Sequence, residues 1–157
     1  MIRLARTCLV LAAVSLALTA CSKGPPKRVF PPTASIQQLT VQNSGQWELH
    51  VRVQSFSNVP HTVSDLSAQL HIDGLEAGSV KLGPDITIGP QSAEIEAFVL
   101  QPSTEAASRI AKALESNRSA TYQLRGTLTS NHPDKRRDNF QFEGQLWPVP
   151  GLTGVLR

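Results

Sequence analysis

The chain has 157 residues, of which 17% are charged, and its formal net charge is +3. Arg3 and Arg6 lie in an N-terminal segment that we expect to be removed, which leaves 137 residues and lowers the charge from +3 to +1. This length fits one domain plus a tail, and so small a charge gives little support for a nucleic-acid partner.

The first twenty residues resemble a signal peptide. Arg3 and Arg6 form a positive start, and the chain then carries no charge through an apolar run that ends at Ala20. A transmembrane helix is the alternative, but the run of about 14 residues is short of the roughly 20 that span a bilayer. Residues 1–20 are therefore predicted to be a cleaved leader.

The segment Leu18-Thr19-Ala20-Cys21 resembles the lipobox of bacterial lipoproteins. The resemblance implies that Cys21 is diacylated on its sulfur, becomes the new amino terminus and anchors the protein in a membrane. Ser22 is not the aspartate that retains many lipoproteins at the inner membrane, so we expect an outer-membrane protein that faces the periplasm. In a bacterium with one membrane, the same signal would place it on the outer face of the cell. Cys8 leaves with the leader, so no cysteine pair remains for a disulfide.

Residues 21–33 are predicted to be a lipidated, Pro-rich tether. Four prolines and three positive charges fall in this segment, which favours an extended chain. Lys23, Lys27 and Arg28 are expected either to touch anionic headgroups or simply to be solvated.

Residues 34–147 are predicted to form an antiparallel β-sandwich of about seven strands, Ig-like or fibronectin-like, with one short helix. Apolar and polar residues alternate with a period of two, which is typical of half-buried strands. The predicted strands are 36–42, 47–54, 66–73, 78–82, 93–101, 120–130 and 139–147. In two of them we expect these inward residues: Trp47, Leu49, Val51 and Val53, then Leu66, Ala68, Leu70 and Ile72. Asp73-Gly74 predicts a hairpin turn.

One segment has helical spacing instead. Between Ser103 and Asn117, apolar residues recur at Ala106, Ile110, Ala113 and Leu114. Ser103 or Thr104 can cap this helix, and Glu105 suits its first turn. The Pro- and Gly-rich residues 148–157 are predicted to be a tail along the surface, where Trp147-Pro148-Val149-Pro150 either forms a small contact surface or covers a sheet edge.

The order of the motifs is similar to that of the type 2 late-embryogenesis-abundant (LEA) family, also called the WHy domain. The residues that carry the resemblance are Val51-Arg52-Val53, Asn58-Val59-Pro60, Leu70-His71-Ile72-Asp73-Gly74, Gly78, Gly89-Pro90 and Tyr122-Gln123-Leu124-Arg125-Gly126. The family implies a β-sandwich with one helix, an association with desiccation and stress tolerance, and no established catalytic residue or cofactor. Its members often have an N-P-N turn where this chain has Ser-Asn-Val-Pro.

Sharper site hypotheses have weak support. His50 and His71 are predicted on the outer faces of two strands. If these strands are neighbours, the two histidines could share a metal ion, but a zinc site needs three or four ligands. No G-x-S-x-G elbow exposes a nucleophile. The charge run at 134–138 is expected at a solvated hairpin tip, with phosphate binding as the minor alternative. Glu94 and Glu96 are predicted on the wet face of a strand, with Ile95 and Ala97 inward.

Cys21 is thus the one functional residue that the sequence predicts, and we expect no catalytic, metal or cofactor site. The expected function is a membrane-anchored, non-enzymatic binding or protective module, in envelope stress or desiccation tolerance. The alternative is a structural accessory subunit of an envelope assembly or transport complex. Expected partners are the membrane and an envelope protein.

Overall fold

The computed structural model describes residue 24 and residues 26–81, 83 and 85–157. The predicted leader, Cys21 and Leu82 lie outside these residues. The elements in chain order are β1 (Thr33–Val41), β2 (Trp47–Gln54), β3 (His61–Ile72), β4 (Leu75–Lys81), β5 (Ile86–Ile88), β6 (Ala93–Leu100), α1 (Thr104–Ser116), β7 (Ala120–His132), β8 (Arg136–Leu146) and β9 (Val155–Leu156).

The strands form two antiparallel sheets with the core between them. One sheet has the order β6-β2-β1-β9, and the other has the order β4-β3-β7-β8, with β5 also paired to β3. All four predicted inward residues of β2, and all four of β3, are buried. Asp73 and Gly74 have φ of 48° and 81° in the tight turn between β3 and β4. The predicted mainly β sandwich is confirmed.

The helix is confirmed with its cap. The Ser103 hydroxyl accepts a hydrogen bond from the Ala106 amide at 3.3 Å and donates one to the Glu76 carbonyl at 2.6 Å. The cap therefore also fixes the helix to β4. Ala106, Ile110 and Ala113 are buried, and Leu114 packs against the core.

The face predicted for β6 is wrong. Residues directly opposite each other in an antiparallel pair point to the same side, and Glu94 and Glu96 lie opposite the buried Val53 and Val51. The glutamates therefore share the inner side of the sheet, at its open edge, while Ile95 faces outward with 49% of its surface exposed. Inward charges on an edge strand discourage pairing with another chain.

The C-terminal segment does not simply trail along the surface. Trp147 and Arg157 exchange two backbone hydrogen bonds, at 2.5 and 2.9 Å, so the segment folds back on itself. Leu156 pairs with Leu39 of β1 and is fully buried. Val155 and Leu156 thus cover the edge of β1, whereas the prediction placed this role at Trp147-Pro148-Val149-Pro150, which pairs with residues 155–157 instead. Both β9 and β5 are too short for periodicity to reveal.

Tyr122 joins the two sheets. The strand β1 has a bulge between Ile36 and Gln38, and β9 covers this strand only at Leu39 and Thr40. At Ile36, where β9 does not pair with β1, the Tyr122 hydroxyl binds the backbone instead. It accepts from the Ile36 amide at 3.2 Å and donates to the Ile36 carbonyl at 3.3 Å. Burial raises the pKa of the tyrosine, so the hydroxyl keeps its proton.

Removing this hydroxyl should destabilise the sandwich. We expect Tyr122→Phe to lower the free energy of unfolding by about 1–3 kcal/mol, because two buried backbone groups lose their partner. Urea denaturation measures this change. Phe142→Leu is the control, since it alters the ring that stacks on Tyr122 at 6.1 Å without touching the hydroxyl. Equal midpoints for Tyr122→Phe and the wild type would show that the bond contributes nothing.

Candidate functional site at the tether end

One end of the sandwich receives the segment that follows the predicted anchor. At this end β1 begins at Thr33, β2 ends at Gln54, β3 begins at His61 and β7 ends at His132. We call it the tether end. The opposite end, which carries the Asp73-Gly74 turn, is called the far end.

Asn58 binds the backbone of the incoming segment. Its side-chain oxygen accepts from the Arg28 amide at 2.7 Å, and its side-chain nitrogen donates to the Pro26 carbonyl at 2.9 Å. Its own amide donates to the Arg28 carbonyl at 3.1 Å. We call these three bonds the Asn58 clamp. An asparagine suits this role because its amide both donates and accepts.

Ser57 extends the contact by two further hydrogen bonds. Its hydroxyl accepts from the Phe30 amide at 2.8 Å and donates to the Phe30 carbonyl at 3.2 Å. The Ser57 carbonyl accepts from Gln91, and Pro32 is buried. Residues 26–32 are therefore held against the domain, although the composition predicted a free tether as far as residue 33.

A buried polar cluster lies behind this contact. Ser55, Ser57, His61 and Ser130 are all fully buried. The Ser55 hydroxyl lies 3.5 Å from Nδ1 of His61, whereas His61 Nε2 and the Ser130 hydroxyl have no hydrogen-bond partner among the described residues. Burial lowers the pKa of His61, and the nearby Arg136 lowers it further. The imidazole is therefore held neutral.

The charge run lies at the tip of the β7–β8 hairpin, as predicted, and this tip belongs to the tether end. Arg136 pairs with Asp138 at 2.5 Å, which leaves Lys135 and Arg137 exposed. Among the described residues, the four connections at this end, 26–32, 55–60, 89–92 and 133–135, contain three basic residues and one acidic residue, and the first three residues of β8 add Arg136, Arg137 and Asp138. The tether end is therefore positively charged.

Two aromatic side chains are exposed beside this charge. Phe30 and Phe56 are each 49% exposed. They lie on the two segments that Ser57 joins. Exposure of a phenyl ring to water is unfavourable, so two exposed rings at the same end of the sandwich mark a candidate contact surface.

The two histidines considered for a metal site are far from being a pair. His50 lies on β2 and His71 on β3, which belong to different sheets, so the two strands are not the neighbours that the metal-site alternative required. The His50 Nε2 atom lies 3.1 Å from a Glu48 carboxylate oxygen. Within residues 26–81 and 85–157, no three His, Cys, Asp or Glu side chains are grouped as metal ligands would be.

The clefts that the structure describes are open grooves rather than enclosed cavities. One of about 400 Å³ lies beside Tyr122 and Gly144 at the far end, and another of about 420 Å³ lies between β4 and the start of α1. In the described part of the chain, no helix combines the length and apolar character of a membrane span.

No protein-family model and no curated protein match the chain. Solved structures match most of its length. A crystal structure of a protein from Archaeoglobus fulgidus is 16% identical, covers 78% of this chain and 98% of its own, and has a TM-score of 0.43. The solution structure of AT1g01470 from Arabidopsis thaliana is 14% identical, with coverages of 84% and 87% and a TM-score of 0.49. The solution structure of At2g46140.1, provisionally described as a LEA protein, is 15% identical, with coverages of 75% and 71% and a TM-score of 0.47.

Asn58 and Ser57 were recognised in the sequence only as part of a turn. Their partners lie about thirty positions earlier in the chain. A local pattern does not encode such a pairing. The one available signal is the type of residue, since Asn and Ser are the side chains that most readily bind backbone groups in turns.

Breaking the Asn58 clamp should free the incoming segment. We expect Asn58→Ala to reduce the protection of the Arg28 amide against hydrogen exchange by about 1 kcal/mol, because its acceptor is lost. Asn58→Asp keeps the acceptor for the Arg28 amide but loses the donor to the Pro26 carbonyl. The protection of the Arg28 amide in this variant should therefore lie between those of the wild type and Asn58→Ala. Asn43→Ala, in an exposed turn at the far end, is the control. Unchanged exchange at Arg28 in Asn58→Ala would refute the clamp.

The buried His61 should make stability depend on pH. Because folding lowers its pKa from 6.5, the unfolded chain binds the proton more readily than the folded chain. The contribution of the neutral imidazole is complete above the unfolded pKa and is lost as the pH falls toward the folded pKa. Urea denaturation at about pH 8 and about pH 5 measures the free energy of unfolding at each pH. Between these two values the wild type should lose more of this free energy than His61→Gln.

The control for this measurement is His71→Gln, because His71 is not among the charged groups that shift the pKa of His61. It should keep the wild-type loss of stability on acidification. If His61→Gln and the wild type lose equal free energy between the two pH values, the buried His61 is not the source of the dependence.

Proposed function

We propose that this protein is a bacterial outer-membrane lipoprotein, anchored through acylated Cys21 and facing the periplasm, whose sandwich is a non-enzymatic LEA type 2-like module. The module binds or shields other components of the envelope under drying or osmotic stress. The observation that carries the proposal is Leu18-Thr19-Ala20-Cys21 after a positive, then apolar leader. Acyl chains together hold a protein on a membrane stably, whereas one chain alone holds it only marginally.

The surface of the sandwich supports binding over chemistry. The described clefts are open grooves, and the buried Ser55 and His61 face the interior, where a substrate would not reach them. The order of the motifs along β2, β3 and β7 supports the LEA type 2 class. Two of the residues that carry this resemblance have structural roles in the fold. Tyr122 bridges the sheets, and Gly126 lies so close to β3 that a Cβ atom there would come within 2.6 Å of the Ala68 Cα.

A second candidate function is that of a structural accessory subunit in an envelope assembly. The outer face of β6 favours it, because Ile95 and Val99 are 49% and 63% exposed on the same side of the strand. Crosslinking in intact cells separates the two functions. One stoichiometric complex whose recovery is lost in Ile95→Ser supports the accessory role, whereas diffuse contacts and poor survival of drying in a deletion strain support the protective role.

Acylation itself is tested by metabolic labelling with a clickable palmitate analogue. We expect the wild type to carry the label on a mature chain of 137 residues, which is what remains after a 20-residue leader is removed from 157. Cys21→Ala should lose the label and accumulate the precursor, because no other residue of the mature chain offers a thiol. Cys8→Ala is the matched control and should behave as the wild type. Label retained in Cys21→Ala would contradict the proposal.

A further inference from the structure

The distance between the predicted anchor and the clamped segment fixes which end of the sandwich faces the membrane. Five peptide steps separate Cys21 from Pro26, where the contact with Asn58 begins. At no more than about 3.6 Å per step, these residues reach about 18 Å at most. The 12 residues of β3 span about 40 Å at the usual rise of a strand. The tether end therefore stays close to the lipid, and the far end is held away from it.

The tether end also has the chemistry of a surface that meets lipid. Phe30 and Phe56 are half exposed there, and the adjacent Lys27 and Arg28 are exposed. Aromatic rings and basic side chains together favour the boundary between anionic headgroups and acyl chains. Asp134 is the one acidic residue in the four connections at this end. Just beyond them lie Glu94, the second residue of β6, and Asp138, which is paired with Arg136, so the basic residues remain in excess. The surface is thus complementary to a negatively charged membrane.

The other exposed apolar residues do not share this placement. Trp147 and Leu152, 55% and 50% exposed, lie at the far end. Phe142 and Val99 lie on strands of the two sheets, and Ile95 lies on the outer face of β6, three residues into the strand from the tether end. Among the described residues, Phe30 and Phe56 are the exposed apolar residues that lie on the connections of the tether end.

We propose that the tether end rests on the membrane, with Phe30 and Phe56 at the boundary between headgroups and acyl chains and with Lys27 and Arg28 against anionic headgroups. This rests on the lipid anchor proposed above. The anchor then does more than attach the module: together with the Asn58 clamp it orients the module. The far end and the outer face of β6 are presented to the periplasm, where partners would bind.

Quenching of tryptophan by brominated phospholipid tests this orientation. The purified full-length lipoprotein is inserted into vesicles of phosphatidylcholine with phosphatidylglycerol, with and without bromine on the acyl chains. The native Trp47 and Trp147 both lie at the far end, so the emission of the wild type should not change. Phe56→Trp should lose most of its additional emission in brominated vesicles, and Phe30→Trp should do the same. Leu152→Trp, equally exposed at the far end, is the matched control and should keep its emission.

The role of charge has its own variant. Combining Lys27→Gln and Arg28→Gln with Phe56→Trp should reduce the quenching in phosphatidylglycerol vesicles to the level seen in pure phosphatidylcholine. Equal quenching in the two kinds of vesicle, unchanged by these substitutions, would overturn the electrostatic part of the proposal.

The failure of this inference is distinguishable from the failure of the proposed function. Mass spectrometry of the N-terminal peptide reports whether Cys21 is acylated. A chain that carries no acyl group contradicts both proposals. An acylated chain that floats with the vesicles, but shows no quenching in Phe56→Trp or equal quenching in Leu152→Trp, overturns the orientation and leaves the anchor in place.

Discussion

In the proposed lipoprotein, the hydrogen bonds of Asn58 to the backbone of residues 26–28 are the constraint on which the placement of the sandwich depends. Without them, the linker would extend from Cys21 to Phe30, where Ser57 next binds the backbone, and the module would have a wider range of orientations. With them, the linker shrinks to the residues before Pro26. With the anchor proposed at Cys21, this one amide side chain, which both donates and accepts, would orient the module as well as hold the segment before Thr33.

The two ends of the sandwich differ in the chemistry of their side chains. The tether end holds basic residues, exposed phenyl rings and a buried polar cluster around His61. The far end is closed by hydrogen bonds: Asp73 accepts from both the amide and the hydroxyl of Thr121, at 2.9 and 2.8 Å. Buried polar atoms without partners cost stability. Among the described residues they include His61 Nε2 and the Ser130 hydroxyl at the tether end and His71 Nδ1 toward the far end.

Periodicity predicted the sandwich because residues on β2 and β3 alternate cleanly between core and solvent. It failed on β6, where Ile95 and Val99 alternate with Glu94 and Glu96 while Phe98 and Leu100 fall on the side of the glutamates. Both faces of that strand are partly apolar, so only its pairing with β2 decides which side is inward. The predicted tether failed for a related reason, since the clamp joins residues about thirty positions apart. Cys21, the predicted lipidation site, lies outside the described residues and stays a prediction.

Neutron reflectometry of the lipoprotein on a supported bilayer that contains phosphatidylglycerol tests the orientation most directly. In the proposed orientation the profile should show protein density that begins at the headgroups, because the chain between Cys21 and Pro26 reaches only about 18 Å. Asn58→Ala should move that density outward. A water layer of about 30–40 Å between the headgroups and the wild-type protein, the reach of a free tether as far as residue 33, would contradict the account.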